Sequence, residues 1–360
     1  MPMSKYRTFA ILALLTVALS SCEVEFSPNA AWRDVPNVYC VLDPEEDTVW
    51  ARVQRCYLGE DNLYNYASIA DSNNYSEDVV SVYLLAWKGT RTTGNGLSAT
   101  NRLIDRWQLS YIERSGKPDG TFSSEPQPLY YCVPGKRLQQ DSDCVFQLVV
   151  INNASGDTIA NAFTTLVGFL EKTINGRDTS EKVVTLPNAG RAHEFGFRVG
   201  CRGEIKWNTL PRGRLYQPVV TFYYRKNGDT LGIDIPGYTL KNMYEAATLS
   251  SSSITQSRFL STIKNHLQDN TDTLFCVNYV DVSIYVCNED LNAYIGSQNN
   301  TIASGQEYST YTNIEGGVGI FGSRRTHIRV SVPCDSSGNP QAGYIGYELN
   351  NLGVGFYGNF

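Results

Sequence analysis

The stretch of sequence that comes nearest to a ligand-binding motif is rich in glycine. Residues 313–323 read NIEGGVGIFGS, and four glycines fall within seven positions, at Gly316, Gly317, Gly319 and Gly322. Closely spaced glycines can expose backbone N–H groups to a phosphate, but such loops end in Lys-Ser/Thr and run into a helix. Neither feature follows here, because residues 325–332 read as a strand. We therefore interpret the glycines as structural, at positions that need a positive φ or a close approach of strands.

A second chemical signal lies near the N-terminus, where Cys22 follows two small residues. Two basic residues precede an apolar run at residues 9–19, and the sequence Leu-Ser-Ser-Cys comes next. This order is typical of a secretory signal peptide, and a cysteine at this point is the lipobox pattern of bacterial lipoproteins. We predict a signal peptide at residues 1–21, lipidation of Cys22 and a tether at residues 22–36. The alternative is an ordinary signal peptide that contains a cysteine.

Length and composition favour a folded, mainly β protein of two domains. The chain has 360 residues, of which 12 % are aromatic and 18 % charged, and this is too aromatic and too weakly charged for disorder. About seven strand-like segments precede residue 170, as is typical of an Ig-like β-sandwich. We predict this β-sandwich at residues 37–170, a polar linker at 171–193, and a second β-rich domain with one or two short helices at 194–360.

Local patterns in the second domain predict individual elements. Residues 252–269 carry apolar side chains four positions apart, and residues 288–298 place an apolar stripe after Asn288, a candidate N-cap. The Asn-Gly pair at 227–228 predicts a tight β-hairpin. The C-terminal residues 344–360 read as a further, glycine-rich strand region.

Net charge bears on the partners of the protein. The formal charge is -6, which argues against a nucleic-acid partner, because phosphate binding needs a basic face. Removal of the signal peptide takes away its two basic residues and makes the mature chain more acidic, at -8. An acidic protein gains nothing from an anionic lipid surface, so the acyl chains are expected to provide the membrane anchor.

Cysteine usage agrees with export from the cytoplasm. The chain has nine cysteines, and removing Cys22 leaves an even set of eight. Such a set suggests disulfides in an oxidising compartment, although eight cysteines allow 105 connectivities. Cys132 and Cys144 flank a Pro-Gly turn and are the best candidates for a local disulfide, worth about 2–4 kcal/mol. The alternative is that the cysteines are buried thiols, because cysteine packs well as a small apolar residue.

Motifs for catalysis, metal binding and cofactor binding do not occur in the sequence. We find no G-x-S-x-G elbow, H-E-x-x-H pair, Walker loop or EF-hand pattern, and the three histidines lie in separate segments. We therefore predict no catalytic residues, no metal and no cofactor. A glycan hydrolase remains an alternative, because it needs only two carboxylates about 5–9 Å apart.

A tyrosine-rich polar loop is a candidate binding surface. Tyrosines recur around it, and aromatic side chains dominate many recognition patches. The predicted sugar- or peptide-stacking residues are Tyr57, Tyr64, Tyr66 and Tyr75. The alternative is ordinary packing of these rings in the core and at its rim.

The glycine-rich segment also resembles the hallmark of a Bacteroidota outer-membrane lipoprotein family of unknown function, NIEGGxGIFG. The VYCVLDPEEDTVWARVQR hairpin, the PGKRL and CVFQLVV segments that lead into GDTIANAFTTLV, and a short helix before the glycines match its layout. Members are often encoded beside TonB-dependent receptors, which implies an accessory role at an outer-membrane transporter. Glu23 and Glu25 also resemble the surface-export signal of such lipoproteins, with a plain polar tether as the alternative.

Four Asp-Thr-apolar triplets resemble the O-glycosylation site of the same group of bacteria. The threonines concerned are Thr48, Thr158, Thr230 and Thr273. The alternative is that these residues form turns that lead into strands.

These observations lead to one expected function and two alternatives. We expect an outer-membrane lipoprotein, with the cell surface as one candidate location, that binds a ligand or a receptor without chemistry of its own. Its expected partners are the membrane through the lipid anchor, a TonB-dependent receptor, and a carbohydrate or peptide. The alternatives are a glycan-acting hydrolase and a structural or adhesive surface protein.

Overall fold

The protein is mainly β. A computed structural model describes residues 34–56, 63–92, 96–116, 125–135, 144–168, 195–197, 204–244, 247–304, 311–333 and 344–357, together with positions 118, 120, 138, 173–174 and 177–178. Strands make up 50 % and helices 15 %, which confirms the fold class expected from the sequence.

In the part of the chain that the structure describes, the two longest helices lie in the C-terminal half. The strands are β1 (Pro36–Leu42), β2 (Val49–Arg55), β3 (Val80–Lys88), β4 (Arg102–Gln108), β5 (Ser110–Arg114), β6 (Gln127–Cys132), β7 (Cys144–Asn152), β8 (Thr158–Thr165), β9 (Thr173–Ile174), β10 (Arg177–Asp178), β11 (Ile205–Asn208), β12 (Leu215–Lys226), β13 (Asp229–Pro236), β14 (Leu240–Lys241), β15 (Thr248–Ser251), β16 (Leu274–Cys287), β17 (Ile314–Glu315) and β18 (Val318–Pro333). The helices are α1 (Leu63–Ala67), α2 (Ala70–Asn73), α3 (Gln256–His266), α4 (Glu289–Ser304) and α5 (Ile345–Asn350).

The N-terminal part of the fold is an Ig-like β-sandwich. Strands β1-β2-β6-β5 lie side by side in one sheet, and β8-β7-β3-β4 lie side by side in the other. This is the A-B-E-D and G-F-C-C′ order of the immunoglobulin fold. Alternate side chains of both sheets meet in one core, as in β3, where Val80, Val82, Leu84 and Ala86 are all buried.

The second part of the fold is an antiparallel sheet that carries helix α3 on one face. Its strand order is β13-β12-β16-β18, with β14 beside the start of β12. Aromatic rings form much of its core: Phe259 of α3 lies 5.6 Å from Phe222 of β12, between ring centroids, and Phe356 lies 5.9 Å from Phe222. The short strand β17 pairs with β8 at the edge of the sandwich, and the smaller β9-β10 and β11-β15 pairs complete the strands of the described residues.

Strand β18 joins the two parts into one sheet. Its residues 318–323 pair with β1 in parallel, and its residues 324–333 pair with β16 in antiparallel fashion. Two residues from this end of the chain, Ile314 and Phe321, also complete the core of the sandwich. The domain boundaries stay a prediction. The core of the sandwich nevertheless contains residues from both predicted domains.

The glycine-rich segment lies where β17 and β18 approach other backbone closely. Gly316 and Gly319 have φ values of 81° and 114°, which residues with a side chain rarely adopt. A Cβ on Gly319 would overlap the Val38 carbonyl oxygen of β1, and one on Gly316 would lie 2.5 Å from the Ile159 oxygen of β8. A Cβ on Gly317 would likewise lie 2.5 Å from the Pro36 oxygen, whereas one on Gly322 would lie 3.0 Å from the Leu291 Cβ of α4.

The local predictions hold for the helices and the hairpin but not for the C-terminus. Helices α3 and α4 lie within or overlap the two predicted segments, and β12 and β13 turn at Asn227-Gly228, both with positive φ. The predicted strand region at 344–360 is wrong, because α5 begins there. Ile345 and Leu349 are four residues apart and both buried, so a helical turn places them on one core-facing side.

The predicted local disulfide between Cys132 and Cys144 is not present in the structure. Cys132 ends β6 and Cys144 begins β7, so the two residues belong to opposite sheets of the sandwich. Both are buried thiols that pack as small apolar residues, and burial raises the pKa of Cys132 to about 12. The other described cysteines are thiols as well: Cys40, Cys56, Cys276 and Cys287. Cys201 and Cys334 lie outside the described residues.

The contact of Gly319 with β1 predicts a large loss of stability for Gly319→Ala. The new Cβ would overlap the Val38 oxygen, so β1 and β18 must separate, and we expect a loss of at least about 3 kcal/mol by urea unfolding. The matched control is Gly228→Ala, which also has positive φ (94°) but nothing within 4 Å. It should lose only about 1–2 kcal/mol from backbone strain. Equal losses for the two variants would contradict this packing role.

Candidate functional site

One candidate site among the described residues is a cleft at the junction of the sandwich and the second part. Its volume of about 620 Å³ lies in the range of small-molecule sites. Five segments of the described residues form its walls: the loop after β3, the end of β8, the turn before β12, the start of α4 and the segment before β17. We call it the junction cleft, and its polar lining consists of Arg91, Thr92, Thr165, Arg212, Arg214, Glu289, Asp290, Tyr311, Thr312 and Asn313.

Asp290 is the buried centre of the junction cleft. It stands in the first turn of α4, where an acidic side chain is favoured by the helix dipole. Its Oδ2 accepts hydrogen bonds from Arg91 at 2.6 Å and from the Thr164 hydroxyl at 3.0 Å, and its Oδ1 accepts one from the Tyr311 hydroxyl at 3.0 Å. Both oxygens are thus engaged within the protein, so the carboxylate holds the walls together rather than facing a ligand.

Tyr311 supplies a neutral hydroxyl to this arrangement. Burial raises the pKa of Tyr311 well above its ordinary value, and the adjacent carboxylate of Asp290 raises it further. The phenol therefore stays protonated at physiological pH and acts as a hydrogen-bond donor. Tyr311 is therefore not poised to give up its proton.

Two buried asparagines position the walls of the cleft. Asn288 donates through Nδ2 to the Thr165 carbonyl at 2.9 Å, and its Oδ1 accepts from the backbone N–H of Ser323 at 3.2 Å. Asn313 makes two hydrogen bonds with the backbone of Phe321. Its Nδ2 donates to the Phe321 carbonyl at 2.7 Å, and its Oδ1 accepts from the Phe321 N–H at 2.9 Å. The two side-chain amides thus make hydrogen bonds with the backbone of β18 that a neighbouring strand would otherwise make.

Asn288 also begins helix α4. Its Oδ1 accepts from the backbone N–H of Leu291 at 3.2 Å, which is the N-cap hydrogen bond expected from the sequence. Asn288 therefore caps α4, the helix that carries Asp290, and also forms a hydrogen bond with Ser323 of β18.

Two arginines enter the cleft from the turn before β12. Arg212 has a φ of 60°, which is uncommon for a residue with a side chain, and its Nε donates to the Leu166 carbonyl at 2.9 Å. Arg214 donates to the Gly213 carbonyl at 3.2 Å. Its Nε lies 3.8 Å from Glu289, whose side chain is 80 % exposed, so this ion pair is worth little.

No family model matches the chain, and a search of curated proteins gives no match. In the described residues, no helix is long and apolar enough to cross a membrane. The same residues hold no cluster of three or more histidine, cysteine or acidic side chains that would suit a metal ion.

The predicted tyrosine surface is not assembled as expected. Tyr75 is buried at 1 % exposure, and its hydroxyl donates to Asp34 at 2.7 Å while Arg55 lies over its ring. Its assignment as a binding residue is therefore wrong. Tyr66 is half-buried, whereas Tyr57 and the side chain of Tyr64 lie outside the described residues.

The other predicted sites fall at strand starts or outside the described residues. Thr48 and Thr273 lie just before a strand, Thr158 is the first residue of β8 and Thr230 is the second residue of β13, which agrees with the turn alternative without deciding between the two. Thr158, Thr230 and Thr273 are exposed and Thr48 is half-buried. Cys22 lies outside the described residues.

Sequence reasoning missed every charged residue of the junction cleft. Arg91 and Asp290 are 199 positions apart, and no short motif marks either of them. The one usable signal was the cap sequence Asn288-Glu289-Asp290, which predicted the helix start and not the contact across the junction.

A second groove lies beside the start of α3 and serves as a comparison. This serine groove has a volume of about 530 Å³ and is lined by Tyr238, Leu240, Thr255 and Arg258 and by the serines at 250–253. The guanidinium of Arg258 lies 4.3 Å from the ring centroid of Tyr238 and also donates to the Pro236 carbonyl.

The ion pair across the junction cleft predicts a specific stability effect. Arg91→Ala leaves the buried Asp290 carboxylate without its cation, so we expect a loss of about 3–5 kcal/mol in the free energy of unfolding. The control is Arg324→Ala, which removes an arginine that is 61 % exposed and 3.0 Å from Asp43. It should lose less than about 1 kcal/mol. A similar, small loss for both variants in urea unfolding would contradict the role given to Arg91.

Proposed function

We propose that this protein is an outer-membrane lipoprotein that binds a ligand in the junction cleft and serves as a non-catalytic accessory of a TonB-dependent receptor. The observation that carries the binding role is the cleft itself, whose volume suits a small molecule and whose walls come from both parts of the fold. Ligand sites form preferentially at such junctions between structural units.

The rigidity of the walls supports a binding site formed before the ligand arrives. Asp290, Asn288 and Asn313 fix the wall segments through hydrogen bonds between buried groups. A site held in this way loses little conformational entropy on binding, which raises affinity without extra contacts.

The chemistry of the lining supports binding over catalysis. General acid–base catalysis needs a group whose pKa lies near the working pH and which reaches the substrate. Asp290 has both oxygens engaged within the protein, and the raised pKa of Tyr311 keeps its proton in place. The lining is thus suited to holding a molecule rather than to exchanging protons with it.

The proposed anchor is the acylated Cys22. Eleven residues lie between Cys22 and Asp34, the first described residue, and an extended chain that joins the two reaches at most about 40 Å. The folded part would therefore work within about 40 Å of the membrane, close enough to meet the external loops or the periplasmic face of a receptor. The choice of a TonB-dependent receptor as the partner rests on the resemblance of the glycine-rich segment to the Bacteroidota lipoprotein family.

Gentle detergent extraction of tagged protein from its native membrane tests this proposal. We expect the wild type to fractionate with the outer membrane and to co-purify with a TonB-dependent receptor in near-equal amount by mass spectrometry. The control is Cys22→Ala, which lacks the acylated thiol and should lose both the outer-membrane fraction and the receptor. A wild-type lipoprotein recovered without a receptor would contradict the accessory role.

A further inference from the structure

The serine groove contains a tyrosine ring that is exposed to solvent and yet held in place. Tyr238 is 66 % exposed and lines this groove of about 530 Å³ beside the start of α3. The guanidinium of Arg258 lies over the ring, 4.3 Å from its centroid. Because a cation is attracted to the face of an aromatic ring, this contact gives the exposed ring a preferred orientation.

The backbone that carries Tyr238 is fixed as well. The Pro236 carbonyl accepts a hydrogen bond from Arg258 Nε at 2.8 Å, and the Tyr238 N–H donates to the Ser253 hydroxyl at 2.9 Å. A Cβ on Gly237 would lie 2.5 Å from the same Ser253 oxygen, so glycine permits this close approach. A ring held in this way loses little conformational freedom when a ligand stacks on it.

The hydroxyls of the groove retain the capacity to donate hydrogen bonds. The Oγ atoms of Ser251 and Ser253 lie 2.8 Å apart, and each also accepts from a backbone N–H. Each hydroxyl has one proton and two acceptor lone pairs. The bond between the two serines uses one of their two protons, so the pair can donate one further hydrogen bond. Thr255 accepts from the backbone N–H of Arg258, which leaves its own proton for another acceptor.

We infer that the serine groove binds a neutral sugar, with one pyranose ring stacked on Tyr238 and its hydroxyls bonded to Ser251, Ser253 and Thr255. The face of an aromatic ring carries partial negative charge and attracts the C–H groups that a pyranose ring presents on its flat side. Sugar hydroxyls both donate and accept, as the hydroxyls of the groove do. No described residue lines both this groove and the junction cleft, so the inference does not depend on the proposed function.

Saturation-transfer NMR on the purified protein tests the ligand class. The probes are maltotriose, cellotriose, mannotriose, galactotriose and chitotriose, with N-acetyl-trialanine amide as a neutral peptide. We expect at least one trisaccharide to bind with a Kd at or below about 1 mM, and the strongest transfer to reach the C–H protons of one sugar ring. Binding of none of the trisaccharides, or of the peptide alone, would overturn the inference.

Variants of Tyr238 locate the bound sugar. Tyr238→Ala should weaken the best trisaccharide at least about tenfold, whereas Tyr238→Phe keeps the ring and should bind like the wild type. Both should keep the melting temperature, because substitutions of exposed side chains change stability little. The control is Tyr357→Ala, which removes another exposed tyrosine, at 73 %, outside the groove. Unchanged binding in Tyr238→Ala, or an equal loss in Tyr357→Ala, would overturn the site.

Variants of the serine pair test the hydroxyl contacts. Ser251→Ala alone leaves Ser253 with its own proton and should bind nearly as well as the wild type. Ser251→Ala combined with Ser253→Ala removes both protons and should weaken the trisaccharide about threefold to tenfold. Binding at the wild-type level in the folded double variant would overturn the sugar in favour of a ligand held by the ring alone. The Tyr238 variants decide the inference if the double variant is too unstable to measure.

Discussion

The buried hydrogen bonds around Ser323 are the interaction on which the rest of the structure depends. At this residue β18 leaves β1 and begins to pair with β16, so its backbone changes partners inside the protein. Asn288 follows β16 directly and bonds both the N–H and the carbonyl of Ser323, and the Ser323 hydroxyl accepts from Val167. Each such group would cost about 1–3 kcal/mol if it were buried without a partner.

The same bonds set the geometry of the junction cleft. Because Asn288 both holds β18 and caps α4, the first turn of that helix has a fixed place relative to the sandwich. Asp290 in that turn then meets Arg91 from the loop after β3 and Tyr311 from the other wall. The cleft is therefore a consequence of how the two parts are joined, because both parts supply its walls.

The sequence predicted what is encoded locally. The Asn-Gly pair at 227–228 specifies a tight turn by its own backbone preferences, Asn288 specifies a helix start, and alternating strands specify an Ig-like sandwich. Pairings between distant segments have no such signature, and the parallel contact of β1 with β18 and the ion pair of Arg91 with Asp290 were both missed. Tyr75 was placed at the surface because its neighbours in sequence are polar, yet Asp34 satisfies its hydroxyl and allows the ring to be buried.

Native-state hydrogen exchange at the junction tests most directly whether these bonds unite the two parts. The amides of Val167, Phe321 and Ser323 all donate to buried side chains. If the junction opens only when the whole protein unfolds, these amides should exchange with the same free energy as the central amides of β16. Exchange of the three junction amides at a much lower free energy, close to that of the exposed hairpin at Asn227, would show two independently opening parts and contradict the account.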